Sequence, residues 1–152
     1  GISIKSPFDV RVIGNKYYCI DKDGTIASVL EASPTSLIKK YFKGGVIHEE
    51  SIDTCKDYRG KRITTEFYKA ILKHKISILS DYEHYSGTKR LWKSLSKQPD
   101  VIIQIYKKYV LIEKDYNLIE DKLNVWSSPH FLILATTHKI FEHLENRLIP
   151  IE

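Results

Sequence analysis

The sequence predicts a mixed α/β sheet domain, and three observations carry that prediction. Short β-rich runs bounded by turn residues fill the chain up to Thr54. From Ile63 the apolar spacing changes to that of a helix, with Ile63, Phe67, Ala70 and Ile71 on one face. Beyond it, further short apolar runs alternate with a second helical stretch. At 152 residues, the whole of 1–152 is expected to form a single domain.

In chain order, Phe8 to Ile13 alternates as a strand does, and Gly14-Asn15 turns it into the β-rich run Tyr17 to Ile20. Asp21-Lys22-Asp23-Gly24 reads as a hairpin turn that returns through Thr25 to Leu30. The Asp-x-Asp-Gly order lacks the other ligands of a calcium loop. Ser33-Pro34-Thr35 is expected to start a short helix with Leu37, Ile38, Tyr41 and Phe42 inward, ended by Gly44-Gly45. Val46 to Thr54 reads as extended, and the helix from Ile63 runs to about Lys73. Ile76 to Ser80 is a short buried-type strand. Ser86 or Thr88 caps the next helix, which presents Leu91, Trp92 and Leu95 and is broken by Pro99. Val101 to Tyr106 and Tyr109 to Ile112 are strands of a candidate hairpin. Residues 113–128 read as an irregular surface excursion, Phe131 to Thr136 as the last strand, and His138 to Arg147 as a terminal helix or tail.

Composition narrows the class of protein. The apolar content of 42% and charged content of 28% are those of an ordinary soluble protein, and apolar runs of about five fall far short of the ~20 residues of a membrane helix. No secretory signal is visible, so a cytoplasmic location is expected. Methionine is absent, which makes Gly1 a processing or cloning product or the chain part of something longer. Cys19 and Cys55 lack metal-ligand spacing and are expected as two buried free thiols. The net charge of +5 favours an anionic partner: nucleic acid, an acidic protein or a phosphorylated cofactor.

Most basic residues are scattered, but Lys56 and Arg59 to Arg62 sit where backbone geometry adds to charge. Tyr58-Arg59-Gly60-Lys61-Arg62 runs as a polar loop straight into the helix at Ile63. Free N–H groups and the positive dipole end of a helix start can hold a phosphate.

The order of extended segment, Tyr58-Arg59-Gly60-Lys61, helix, strand Ile76 to Ser80 and helix Ser86 to Ser96 resembles the GCN5-related N-acetyltransferase (GNAT) fold. In that family an Arg/Gln-x-x-Gly-x-Gly/Ala loop after the fourth strand holds the pyrophosphate of acyl-CoA. The resemblance covers residues 46–97, with the flanking strands matched by order alone. It implies a largely antiparallel sheet flanked by helices, acetyl-CoA or another acyl-CoA as cofactor, and an N-acetyltransferase acting on a protein or small-molecule amine. Thr54, Arg59, Gly60, Lys61, Arg62, Ile63 and Thr64 would hold the cofactor. Two positions depart from the family pattern: Arg62 stands where a glycine is usual, and Trp92 where a general-acid tyrosine is frequent.

Acyl transfer needs a base for the ammonium, an oxyanion donor and a proton for the thiolate. The resemblance places a carboxylate base on the strand feeding the loop, and strict alternation puts Glu50 on the face of Ile52 and Thr54, with Glu49 opposite. Glu50 is therefore the expected base, and His84, in Asp81-Tyr82-Glu83-His84-Tyr85, a second catalytic candidate. No metal is implied. Two other classes compete. Tyrosines and lysines such as Tyr106-Lys107-Lys108-Tyr109 suit nucleic-acid binding, or a nuclease using Glu49, Glu50, Asp53 and Lys61. The third is a catalytically silent interaction domain.

Overall fold

A computed structural model describes residues 8–34, 45–80, 86–108, 110–128 and 130–137. In chain order these form β1 (Asp9–Ile13), β2 (Lys16–Ile20), β3 (Ile26–Pro34), β4 (Gly45–Thr54), α1 (Ile63–Lys73), β5 (Ile76–Leu79), α2 (Ser86–Ser96), β6 (Val101–Lys107), β7 (Val110–Glu113) and β8 (Phe131–Thr137). All eight strands belong to one sheet in the order β1-β2-β3-β4-β5-β8-β6-β7. The architecture is mixed α+β: the sheet is mostly antiparallel, and two helices are seen among the described residues. Neither helix is long and apolar enough to cross a membrane.

The turn chemistry expected at the first two hairpins is present. Gly14 takes φ +60 between β1 and β2, and Gly24 takes φ +86 between β2 and β3. In that second turn Asp21 N–H bonds Thr25 O at 2.8 Å, and Asp23 Oδ1 accepts Thr25 N–H at 3.0 Å. Hydrogen bonds from the Thr25 side chain first, and then from its backbone N–H, hold the Asp23 carboxyl below its usual range. The two aspartates thus serve the turn.

Among the described residues β4 and β5 are the one parallel pair, and α1 is their crossover connection. Their pairing covers only Gly45↔Ile76 to His48↔Leu79. Past His48, β4 runs on to Thr54 alongside β3 alone, so the sheet parts there. β8 closes the far side of β5. Ser80 N–H donates to Ile133 O at 2.8 Å, and Ile133 N–H donates to Ser80 Oγ at 3.0 Å. β6 and β8 are buried along nearly their whole length, as expected of central strands without polar alternation.

The two helices pack together as one layer. Tyr68 of α1 meets Trp92 of α2 edge-to-face at 6.4 Å, and Thr65 Oγ1 donates to Ser94 Oγ at 3.0 Å. Phe67, Ile71 and Leu95 join Ile47, Ile78, Ile103 and Ile133 of the sheet in the main core.

Four expectations are corrected or left aside. Ser33 and Pro34 end strand β3 instead of opening a helix: Ser33 pairs with His48 and Pro34 with Ile47, so ladder pairing with β4 overrides the local helix-start signal. The rest of that expected helix, and His138 to Arg147, lie outside the described residues. Residues 113–128 are not merely a surface excursion. Tyr116 N–H bonds Ile103 O at 2.8 Å, and Leu118 and Val125 are fully buried beneath the loop. Finally, Cys19 is buried but Cys55 is exposed, its thiol donating to Ile26 O at 3.1 Å; both are free.

Candidate functional site

The helix from Ile63 begins with its backbone donors open. Its first bond is Glu66 N–H to Arg62 O at 3.1 Å, so the N–H groups of Ile63, Thr64 and Thr65 have no carbonyl of their own helix to meet. Arg62 occupies the N-cap in the left-handed conformation, φ 59 and ψ 17, and supplies no side-chain cap. Gly60 is also left-handed, at φ +76, with open space where a side chain would be. These two positive-φ residues fold the loop back so that it enters the helix beside the end of β4.

Hydroxyl contacts tie the two together. Thr54 Oγ1 lies 2.9 Å from Thr64 Oγ1 and 3.0 Å from Ser28 Oγ, joining β3, β4 and the first turn of α1. Arg59 Nε donates to Thr54 O at 2.9 Å. Tyr58 anchors the other side of the loop: its ring is buried, and its hydroxyl donates to Asp21 Oδ2 at 2.9 Å. Burial, and then the bond to Asp21, push the Tyr58 phenol above its ordinary range.

An open groove of about 590 Å³ lies over this helix end. It is lined by Thr54, Arg59, Gly60, Arg62, Ile63 and Thr64, which are all of the expected cofactor-binding positions except Lys61. Its opposite wall is α2, through Arg90, Leu91 and Ser94. Among the described residues no acidic side chain lines it. Arg90, Leu91 and Ser94 were not among the cofactor-binding positions expected from the sequence, although Arg90 and Ser94 stand at the i, i+4 spacing that shares a helix face. That signal says nothing of which loop the face meets.

The carboxylates of β4 are placed by a bulge. Glu31 pairs with Ser51 and Ala32 with Glu49, so Glu50 is an extra residue with no partner in the β3 register. The expected alternation is therefore corrected. Glu49, Ile52 and Thr54 turn inward, while Glu50 and Ser51 are exposed. Glu49 is 2% exposed and accepts a hydrogen bond from the Tyr68 hydroxyl. Burial first, and then the Glu49 charge and hydrogen bond, hold the Tyr68 phenol well above its ordinary range. Glu50 accepts a hydrogen bond from Ser33 Oγ and lies just past the point where β4 and β5 part.

Trp92, where the sequence resemblance expects a tyrosine, is fully buried with no hydrogen-bond partner for Nε1, and does not line the groove. His84 falls outside the described residues. Among the described residues no cluster of three or more His, Cys, Asp or Glu is placed to hold a metal ion. In the turn after β6, Tyr106 is buried and Lys107 Nζ sits 5.5 Å over the Phe131 ring. Lys108 is exposed, and Tyr109 falls outside the described residues.

The fold thus defines a mixed α+β sheet protein with a cationic groove at a loop-to-helix junction. No protein-family model matches the chain, and no curated protein matches it.

Proposed function

We propose that this chain is a divergent GNAT-like N-acyltransferase that binds acetyl-CoA or another acyl-CoA and acylates an amine. The observation that carries the reading is the groove over α1, where open backbone amides and three arginines, and among the described residues no carboxylate, converge on one space. Such a donor set fits a diphosphate group. Support also comes from β4, which runs on past its described pairing with β5 at His48 to bring Thr54 to the groove.

In this reading the Ile63 to Thr65 amides, with Arg59 and Arg62, hold the diphosphate, and Thr54 fixes the helix end through Thr64. A bound acyl-CoA supplies an activated thioester carbonyl for attack by the acceptor nitrogen. Glu50 takes the proton from the acceptor ammonium, directly or through one water, because, of the adjacent pair Glu49 and Glu50, it is the one that solvent reaches. Ser33 orients it. Glu49 is unsuited to that role, being enclosed and bonded to Tyr68. Trp92 cannot return a proton to the leaving thiolate, so that proton comes from solvent or from a group outside the described residues.

Thermal melting with acetyl-CoA tests the cofactor. Ligand at about 100 times its dissociation constant should stabilise by about 2.7 kcal/mol. If neither CoA nor acetyl-CoA shifts melting at millimolar concentration, while an oligonucleotide does so in a salt-sensitive way, the reading is lost. For the reaction, thiol release with amine acceptors should fall sharply in Glu50→Gln while cofactor binding is retained. An unchanged rate removes Glu50 from the mechanism.

A further inference from the structure

The two walls of the groove carry charge of one sign. Arg59 and Arg62 stand on the loop side and Arg90 on the α2 side. Arg59 is partly engaged, donating to Thr54 O at 2.9 Å and lying 4.0 Å from Asp53. Arg62 and Arg90 are exposed and form no ion pair among the described residues. Their own helices offer them no acid. α2 contains Lys89, Arg90 and Lys93 with no carboxylate, and the first-turn acid of α1, Glu66, is 3.7 Å from Lys69. Like charges across a groove repel unless a multivalent anion lies between them.

The walls are also fixed relative to each other. The Thr65–Ser94 hydrogen bond and the edge-on Tyr68–Trp92 contact join the helices directly beneath the groove. The backbone positions of Arg62 and Arg90 are therefore set before a ligand arrives, which lowers the ordering cost of binding.

We propose that Arg90 determines ligand specificity in this groove: with Arg62 it selects a ligand bearing two linked phosphate groups over one bearing a single phosphate. This rests on reading the groove as the diphosphate site of the proposed function, and it assigns the α2 wall a role that the loop motif does not contain. Guanidinium suits the task because it pairs with phosphate oxygens in a two-pronged fashion.

Calorimetric titration with inorganic phosphate, inorganic pyrophosphate and CoA tests this in the wild type, Arg90→Glu and Lys93→Glu. The last variant makes the same charge change on the same helix, at a residue that does not line the groove. Pyrophosphate should bind about tenfold or more tighter than phosphate, and Arg90→Glu should weaken pyrophosphate and CoA by about tenfold or more. Lys93→Glu should cost less than about threefold, since screened charge alone acts there. Equal losses in the two variants, or no loss in Arg90→Glu, overturn the proposal. Arg90→Ala, which adds no new charge, must show a smaller loss of the same sign, and ligand-free melting of each variant checks that it folds. Arg90-dependent pyrophosphate binding without CoA binding would sink the acyl-CoA reading and leave this one standing. CoA binding indifferent to Arg90 would do the reverse.

Discussion

Replacing Arg62 by glycine should move stability and ligand binding in opposite directions. Arg62 is held at φ 59 and ψ 17, with no side-chain cap and no ion pair among the described residues to compensate. A left-handed conformation costs an L-residue roughly 1–2 kcal/mol. Glycine removes that cost but loses more backbone freedom on folding, roughly 0.5–1 kcal/mol. The balance is a gain of about 0.5–1 kcal/mol. For a chain of this size that raises the melting temperature by about 1–4 °C. Binding should respond the other way. A hydrogen bond to a charged group is worth about 1.5–3 kcal/mol, so losing it weakens diphosphate binding by about ten- to a hundredfold. The assay is thermal melting of Arg62→Gly without ligand, and titration with CoA and pyrophosphate. A lower melting point for the free variant would refute the strain argument. Tighter binding would show that Arg62 obstructs the groove, refuting its role as a phosphate partner.

Three further outcomes follow from the buried groups. Tyr68→Phe removes the hydroxyl that Glu49 accepts and should cost about 1–3 kcal/mol in urea unfolding; Tyr68→Phe as stable as the parent would mean that the bond carries no net energy. Cys19 is pushed up to about 12 by burial and then by Asp21, so only Cys55 should react with a thiol reagent at pH 8, and Cys19 only after unfolding. Tyr116 is likewise pushed up to about 12, by burial first and then by its bond to Asp121. For both groups the folded state keeps its proton where the unfolded state loses it. Their contribution is therefore complete below the ordinary thiol and phenol values and is lost as pH rises from about 9 towards about 12. Urea midpoints that stay flat over that window would contradict these placements.

Much of the chain was legible in a short window. The hairpin turn at Asp21 to Gly24, the helix from Ile63 to Lys73 and the loop that feeds it follow from turn residues and apolar period, which act over a few neighbouring positions. The convergence of Thr54 with Arg59 to Thr64 was legible too, because a strand, a short loop and a helix start cannot be far apart. Other features depend on partners distant in sequence. Alternation along β4 assigned Glu50 to the face of Ile52 and Thr54, but one extra residue opposite Glu31 and Ala32 reversed it, placing Glu49 against Tyr68. Ser33 and Pro34 carried a helix-start signal and joined a strand because β4 was there to pair with.

By itself the sequence determined most of the elements and the chemical character of the loop, since propensity and period are local properties. The tertiary structure alone decided that β8 inserts between β5 and β6, that β4 and β5 part after His48, and that Arg90 faces Arg62 across the groove. These are choices among long-range pairings, made by shared burial of the core and by hydrogen bonds such as Thr65 to Ser94, and no run of neighbouring residues encodes them.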